Sequence, residues 1–279
     1  MLRRVGGAMS ESWSCFKYGM VGCLSLVVLA VAVPLILAVL VMRPLDRAID
    51  TRTELEARHG TQDSYVPPLS GVPSADRVEA FLEVRRALAA TCSDLQRAED
   101  GVARLEAFDD RENVKKLEVV RQALSTTRAM MGVGPLIGSF YDIRNRELAA
   151  VDMGLGEYTY IYILAYGTKL AAPEEGPQLL GSEATNARVR AALRRMLANQ
   201  LAAVETSGDD RGVILDALTA EVARLEADHE AVPWQHGVPP TMVEALLPFR
   251  ERLDAAWCGA TAPLELMINE KRGLSIESR

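Results

Sequence analysis

The densest run of chemistry-bearing side chains lies between Asp142 and Tyr166, where Arg144, Arg146, Glu147, Asp152 and Glu157 accompany Tyr158, Tyr160, Tyr162 and Tyr166. In such company a carboxylate accepts hydrogen bonds, an arginine clamps an anion or anchors the carboxylate, and tyrosines offer apolar faces that end in hydroxyls. Arg144, Glu157, Tyr158 and Tyr162 are therefore the candidate ligand-binding residues. The competing explanation is structural. Glycines at a helix junction allow close approach, and aromatic stripes commonly fill cores while their hydroxyls reach buried partners.

Other constellations carry less chemistry. Asp228-His229-Glu230 and His236 hold metal-capable groups, but their spacing is neither HExxH nor a clustered Cys/His pattern, so no metal and no cofactor is expected. Gly132-Val133-Gly134 and Gly154-Leu155-Gly156 are isolated fragments that read as helix breaks rather than as a phosphate-cradling loop. Arg188, Arg190, Arg194 and Arg195 group on one helix, where an anionic-lipid or acidic-partner patch competes with a simply solvated face. No serine has a persuasive histidine and acid beside it, so no residue is assigned a catalytic role and a non-enzymatic function is favoured.

Of the four cysteines, Cys15 and Cys23 lie at the amino end, which leaves Cys92 and Cys258 as one pair in the remainder. Two readings stay open. In an oxidising compartment the pair would form a disulfide closing a long loop. Otherwise they are buried thiols acting as small core hydrophobes.

The elements that must position these groups begin with a stretch of different character. From Tyr18 to Met42 there are 25 residues without a formal charge. A helix of that length reaches about 37 Å, enough to cross roughly 30 Å of hydrocarbon with tilt. Ala30-Val31-Ala32 has the form of a signal-peptidase site, but ten uncharged residues follow it, which favours a retained signal anchor over a cleaved signal. Basic residues flank the stretch on both sides, so the charge rule gives no clear orientation. An amino-terminal apolar segment is the usual export signal, and the expected topology is single-pass with the body on the exported, periplasmic side; the cytoplasmic orientation is the alternative.

Residues 43–279 carry 28 basic and 37 acidic side chains, a net charge of −9, which argues against a nucleic-acid partner. They divide by pattern. Residues 1–17 form a short tail, 18–42 the anchor, and 43–74 a charged helical stalk ending in a Pro/Gly-rich hinge. Residues 75–171 form a first helical subdomain, 172–186 a linker, and 187–279 a second helical subdomain. Val78, Phe81, Leu82, Leu88, Cys92, Leu95, Val102 and Leu105 recur at helical steps and predict one long helix from Ser74 to about Phe108. The tyrosine run has strand propensity, yet no second alternating run exists to pair with it, so helix is expected there too. The terminal stretch from Glu265 onward is expected to fray.

The expected architecture is all-α: an amino-terminal transmembrane helix followed by an irregular multi-helix bundle. The expected partners are a lipid bilayer and a protein of unknown identity. The expected function is a membrane-anchored interaction or envelope-scaffold protein. Its competitor is a membrane-tethered small-molecule enzyme or ligand sensor with a pocket between Arg144 and Tyr166.

Overall fold

Apolar residues at three- and four-residue spacing bury one face of a helix against others of the same kind, and the computed structural model has that form. It describes residues 46–109, 134–170, 183–207 and 212–266. Helices and turns, with no strand, make up these residues. The uncharged stretch 18–42, residues 110–133 of the expected first subdomain and residues 172–182 of the expected linker lie outside them.

Residues 46–59 form α1, followed by a 3-10 turn at Gln62–Ser64. Next come α2 (Ala75–Ala87) and α3 (Ala89–Asp109), then α4 over residues 134–150. The tyrosine run is helical, forming α5 (Leu155–Leu170). After it come α6 (Glu183–Ser207) and α7 (Gly212–Ala227). Three short helices close the described chain: α8 (Pro240–Leu246), α9 (Arg250–Ala255) and α10 (Ala262–Leu266).

The helix expected to run unbroken from Ser74 is interrupted at Leu88, which is buried and separates α2 from α3. At the carboxyl side, Pro248 lacks the amide that would continue α8, and a 3-10 turn at Leu247–Phe249 leads into α9.

α5 is the centre of the core. Leu155, Tyr158, Tyr160, Ile161, Tyr162, Ile163, Leu164 and Tyr166 are all buried, so this helix is covered on every side. An element of that kind needs neighbours all round. α2 supplies Val78, Phe81 and Leu82, α4 supplies Phe140, Tyr141 and Leu148, and α6 supplies Val189, Leu193, Met196 and Leu197 to the same core. Residues from both sides of the expected 172–186 linker thus share one buried cluster.

The described part of the stalk and hinge is packed against the core in a way that the tyrosines explain. Ala48 and Leu55 of α1 are core residues, and Asn145 of α4 donates to the Ala48 carbonyl at 3.0 Å. In the 60–74 segment, Gln62 donates to Thr159 at 2.8 Å, and the Gly71 carbonyl accepts the Tyr160 hydroxyl at 2.7 Å. Gln200 of α6 donates both to the Pro68 carbonyl and to Tyr160. A hydroxyl buried without a partner is costly, and this Pro/Gly-rich segment supplies partners instead of swinging as a hinge.

Gly156 permits the closest of these approaches. A Cβ built there would lie 2.2 Å from the Tyr65 Cβ and 2.9 Å from the Gln62 carbonyl oxygen. Gly156→Ala is therefore expected to destabilise the protein by about 1–3 kcal/mol through overpacking, read as a lower urea midpoint. An unchanged midpoint would show that the 3-10 turn does not hold α5 so closely.

Candidate functional site: a buried arginine–glutamate–tyrosine cluster

Glu265 is the residue around which the buried charges gather. It lies on α10, where Ala262, Pro263, Leu264 and Leu266 are also buried, and its own side chain is excluded from solvent. An unpaired carboxylate in that position would cost several kcal/mol. Arg85 of α2, equally buried, pairs with Glu265 Oε1 through Nη1, and the Tyr158 hydroxyl donates to Oε2 at 2.8 Å. Arg144 of α4 approaches the same Oε2 at 4.0 Å.

Two arginines against one glutamate leave an excess positive charge, which main-chain oxygens and aromatic faces absorb. Arg85 donates to the Ala256 carbonyl at the end of α9 through Nη2 at 2.8 Å and Nε at 3.3 Å. That carbonyl belongs to the negative end of a helix, where a cation is favoured. The Arg85 guanidinium also lies 5.4 Å from the Tyr162 ring centre and 6.0 Å from that of Tyr166. Arg144 donates to the Leu264 and Glu265 carbonyls at 3.4 Å and stands over Phe140 and Tyr141. Burial opposes the Arg85 charge, but the surrounding oxygens outweigh it and hold the guanidinium well above its ordinary pKa.

The four residues assigned from sequence separate into two places. Arg144 and Tyr158 meet at Glu265, and Tyr162 lies beside them with its ring 6.3 Å from that of Tyr158. Glu157 faces elsewhere: its carboxylate receives both Nε and Nη2 of Arg77, at 2.6 and 2.7 Å. Arg77 also donates to the Val151 and Asp152 carbonyls, so it clamps α2 to the junction of α4 and α5. Asp152 there has φ of 51°, a left-handed conformation that aspartate tolerates in a tight turn. Half-buried Arg77 and Glu157 thus hold a corner of the fold together.

Arg85 and Glu265 escaped the sequence reading. For Arg85 a signal exists, because it falls seven residues after Val78 and seven before Cys92, on the apolar stripe where an arginine has no solvent. Arg144, four residues from Phe140 and from Leu148, carries the same signal. Glu265 gave none, and it is packed where fraying was expected.

A groove of about 480 Å³ lies beside the cluster, lined in part by Leu82, Arg85, Arg86, Trp257 and the cystine of Cys92 and Cys258. Among the described residues its lining contains no carboxylate or histidine. Its Arg252 is engaged by Glu79 at 2.6 and 2.7 Å.

The secondary candidates are also internally engaged. Arg190 pairs with Glu230, Arg194 donates to the His229 carbonyl, and Arg195 meets Asp63 at 3.0 Å. His236 lies 3.1 Å from the Gln235 side-chain nitrogen. Comparison of the chain with protein-family models, with curated proteins and with solved structures finds no match.

Two measurements follow from the cluster. Tyr158 gives a hydrogen bond to a charged group, whereas the buried Tyr162 hydroxyl has no hydrogen-bond partner among the described residues. Tyr158→Phe is expected to cost about 1.5–3 kcal/mol in urea unfolding, while Tyr162→Phe stays within about 0.5 kcal/mol of the parent. Equal losses would contradict this assignment.

Burial raises the pKa of every described tyrosine above the usual 10.0, to about 12 for Tyr141 and Tyr166 and higher for Tyr65, Tyr158, Tyr160 and Tyr162. The contribution of these phenols to stability is complete below pH 10 and declines as pH rises toward the folded values. Phenolate absorbance is therefore expected to appear with unfolding well above pH 10. Ionisation of these six at pH 10 with the fold intact would contradict the burial.

Proposed function

We propose that the chain is a membrane-anchored scaffold or interaction protein whose exported helical body works through its surface. The observation that carries this reading is the closure of the cluster that most resembles a site. Arg85, Arg144, Glu265 and Tyr158 are engaged with one another and with main-chain oxygens. Substrate binding at those groups would require breaking a buried ion pair. Chemistry of that kind fits stability better than turnover.

Two further features support the placement. The uncharged stretch 18–42 is long enough to span a bilayer, and among the described residues no helix is long and apolar enough to do so. Cys92 and Cys258 are bonded across a sequence separation of 166 residues, and such bonds persist in oxidising compartments. On the chain-entropy model, closing so long a loop stabilises the fold by about 5 kcal/mol. A protein partner needs accessible surface, and Val243 and Leu247 are large apolar residues exposed on successive turns.

The full chain should stay with membranes through an alkaline wash, and Cys92 and Cys258 should react with a maleimide only after reduction. A photo-cross-linker at Leu247 should join the chain to a second protein in those membranes. Recovery without detergent in a vesicle-free fraction would overturn the anchor, and labelling of both thiols without reductant would overturn export. The absence of any cross-link at Leu247 would count against that surface as the contact.

A further inference from the structure

The body begins without a spacer. Only five residues lie between Met42, the last of the uncharged stretch, and Ala48, which is already in the core. The six residue steps from one to the other cover about 9 Å as helix and about 20 Å at full extension. If 18–42 is the anchor, some face of the body must lie close to the bilayer, and the packing of α1 against α4 says which one.

The two helices run side by side in the same direction. Near the start of α1, the Ala48 carbonyl receives Asn145 of α4. At its end, His59 meets the turn that follows α4: a Cβ on Gly154 would lie 2.7 Å from the His59 Cβ, and His59 Nε2 is 3.4 Å from Asp152 Oδ1. Residues before Asn145 therefore extend back past the start of α1, toward the anchor. From Asn145 to Gly134 that extension is about 16 Å. It matches or exceeds the helical path from Ala48 to Met42 and is comparable with the extended one.

The first described residues of α4 have the composition for that level. From Gly134 to Tyr141 the sequence GPLIGSFY contains no charge. Leu136 and Ile137 are only partly covered by the core, whereas Gly138 and Phe140 are buried. The headgroup zone, roughly 5–8 Å deep on each side of the hydrocarbon, offers phosphates beside apolar chains.

We propose that residues 134–139 of α4 lie in the headgroup region of the bilayer, with Leu136 and Ile137 against the acyl boundary, so that the body rests on lipid as well as being tethered to it. This rests on the anchor assignment above. The contact fixes the orientation of the body and leaves its far end, around His59 and Asp152, turned to the aqueous side.

The test uses the full chain in phosphatidylcholine vesicles whose acyl chains are brominated just below the headgroup. Ile137→Trp, Ser139→Trp and, as a distant control on the same helix, Ala150→Trp are compared with the parent for quenching of the added emission. Ala150 is exposed and lies about 20 Å farther along α4. Both amino-end variants should lose about half of their added emission, as expected for side chains 5–10 Å into the interface, and Ala150→Trp should lose little. Co-flotation with vesicles but equal quenching at all three positions would overturn this proposal while leaving the anchor standing. Failure of the parent to co-float would overturn both. If Ile137→Trp unfolds, Ser139→Trp against Ala150→Trp decides.

Discussion

Burying a carboxylate costs several kcal/mol unless opposite charge and hydrogen bonds meet it, and the fold is organised around meeting that cost at Glu265. The partners come from separate parts of the chain: Arg85 from α2, Arg144 from α4 and Tyr158 from α5. Each interaction makes sense only when all four elements are in place. Arg85 extends the constraint to the end of α9 through the Ala256 carbonyl, two residues before Cys258. The disulfide and the ion pair therefore tie α2 and α3 to the same carboxyl-terminal segment. One does so covalently and the other electrostatically.

The tyrosine helix follows the same logic with neutral groups. A helix buried on every side would be simplest if purely aliphatic, yet α5 carries four tyrosines in nine positions. Three of their hydroxyls have protein acceptors: Glu265, the Gly71 carbonyl and the Leu253 carbonyl. These acceptors lie on α10, on the segment before α2, and on α9. Each hydroxyl thereby selects which neighbour packs where, a specificity that apolar contacts alone do not supply. The Tyr162 hydroxyl has no partner among the described residues, and packing against Phe81, Tyr166 and Trp257 carries the contact there instead.

Much of this was legible in the sequence and some was not, for reasons that can be named. Periodicity exposed the helices, and the lack of a pairing partner outweighed the β-propensity of Tyr158 to Tyr166. Composition misled at residues 60–74, because proline and glycine mark irregular backbone without saying whether it is packed. Here Gln62, Pro68 and Gly71 are fixed by partners about 90 to 130 residues away. The candidate site shows a similar separation. Glu157 is the nearest carboxylate in sequence to the tyrosines, but the one that a tyrosine hydroxyl reaches is Glu265, 107 residues beyond Tyr158. Local order cannot disclose such a pairing; arginines on an apolar stripe, at positions 85 and 144, hint that one must exist.

If the buried charges serve architecture, function moves to the outside of the body. That view depends on Arg85 and Glu265 acting as one unit, which a double-substitution cycle measures directly. Arg85→Met, Glu265→Leu and the combined variant are compared with the parent by urea unfolding. Each single change should cost about 3–5 kcal/mol because it strands a buried charge, and the combined variant should cost clearly less than their sum. Additive losses, or single changes that leave the midpoint where it was, would contradict the account.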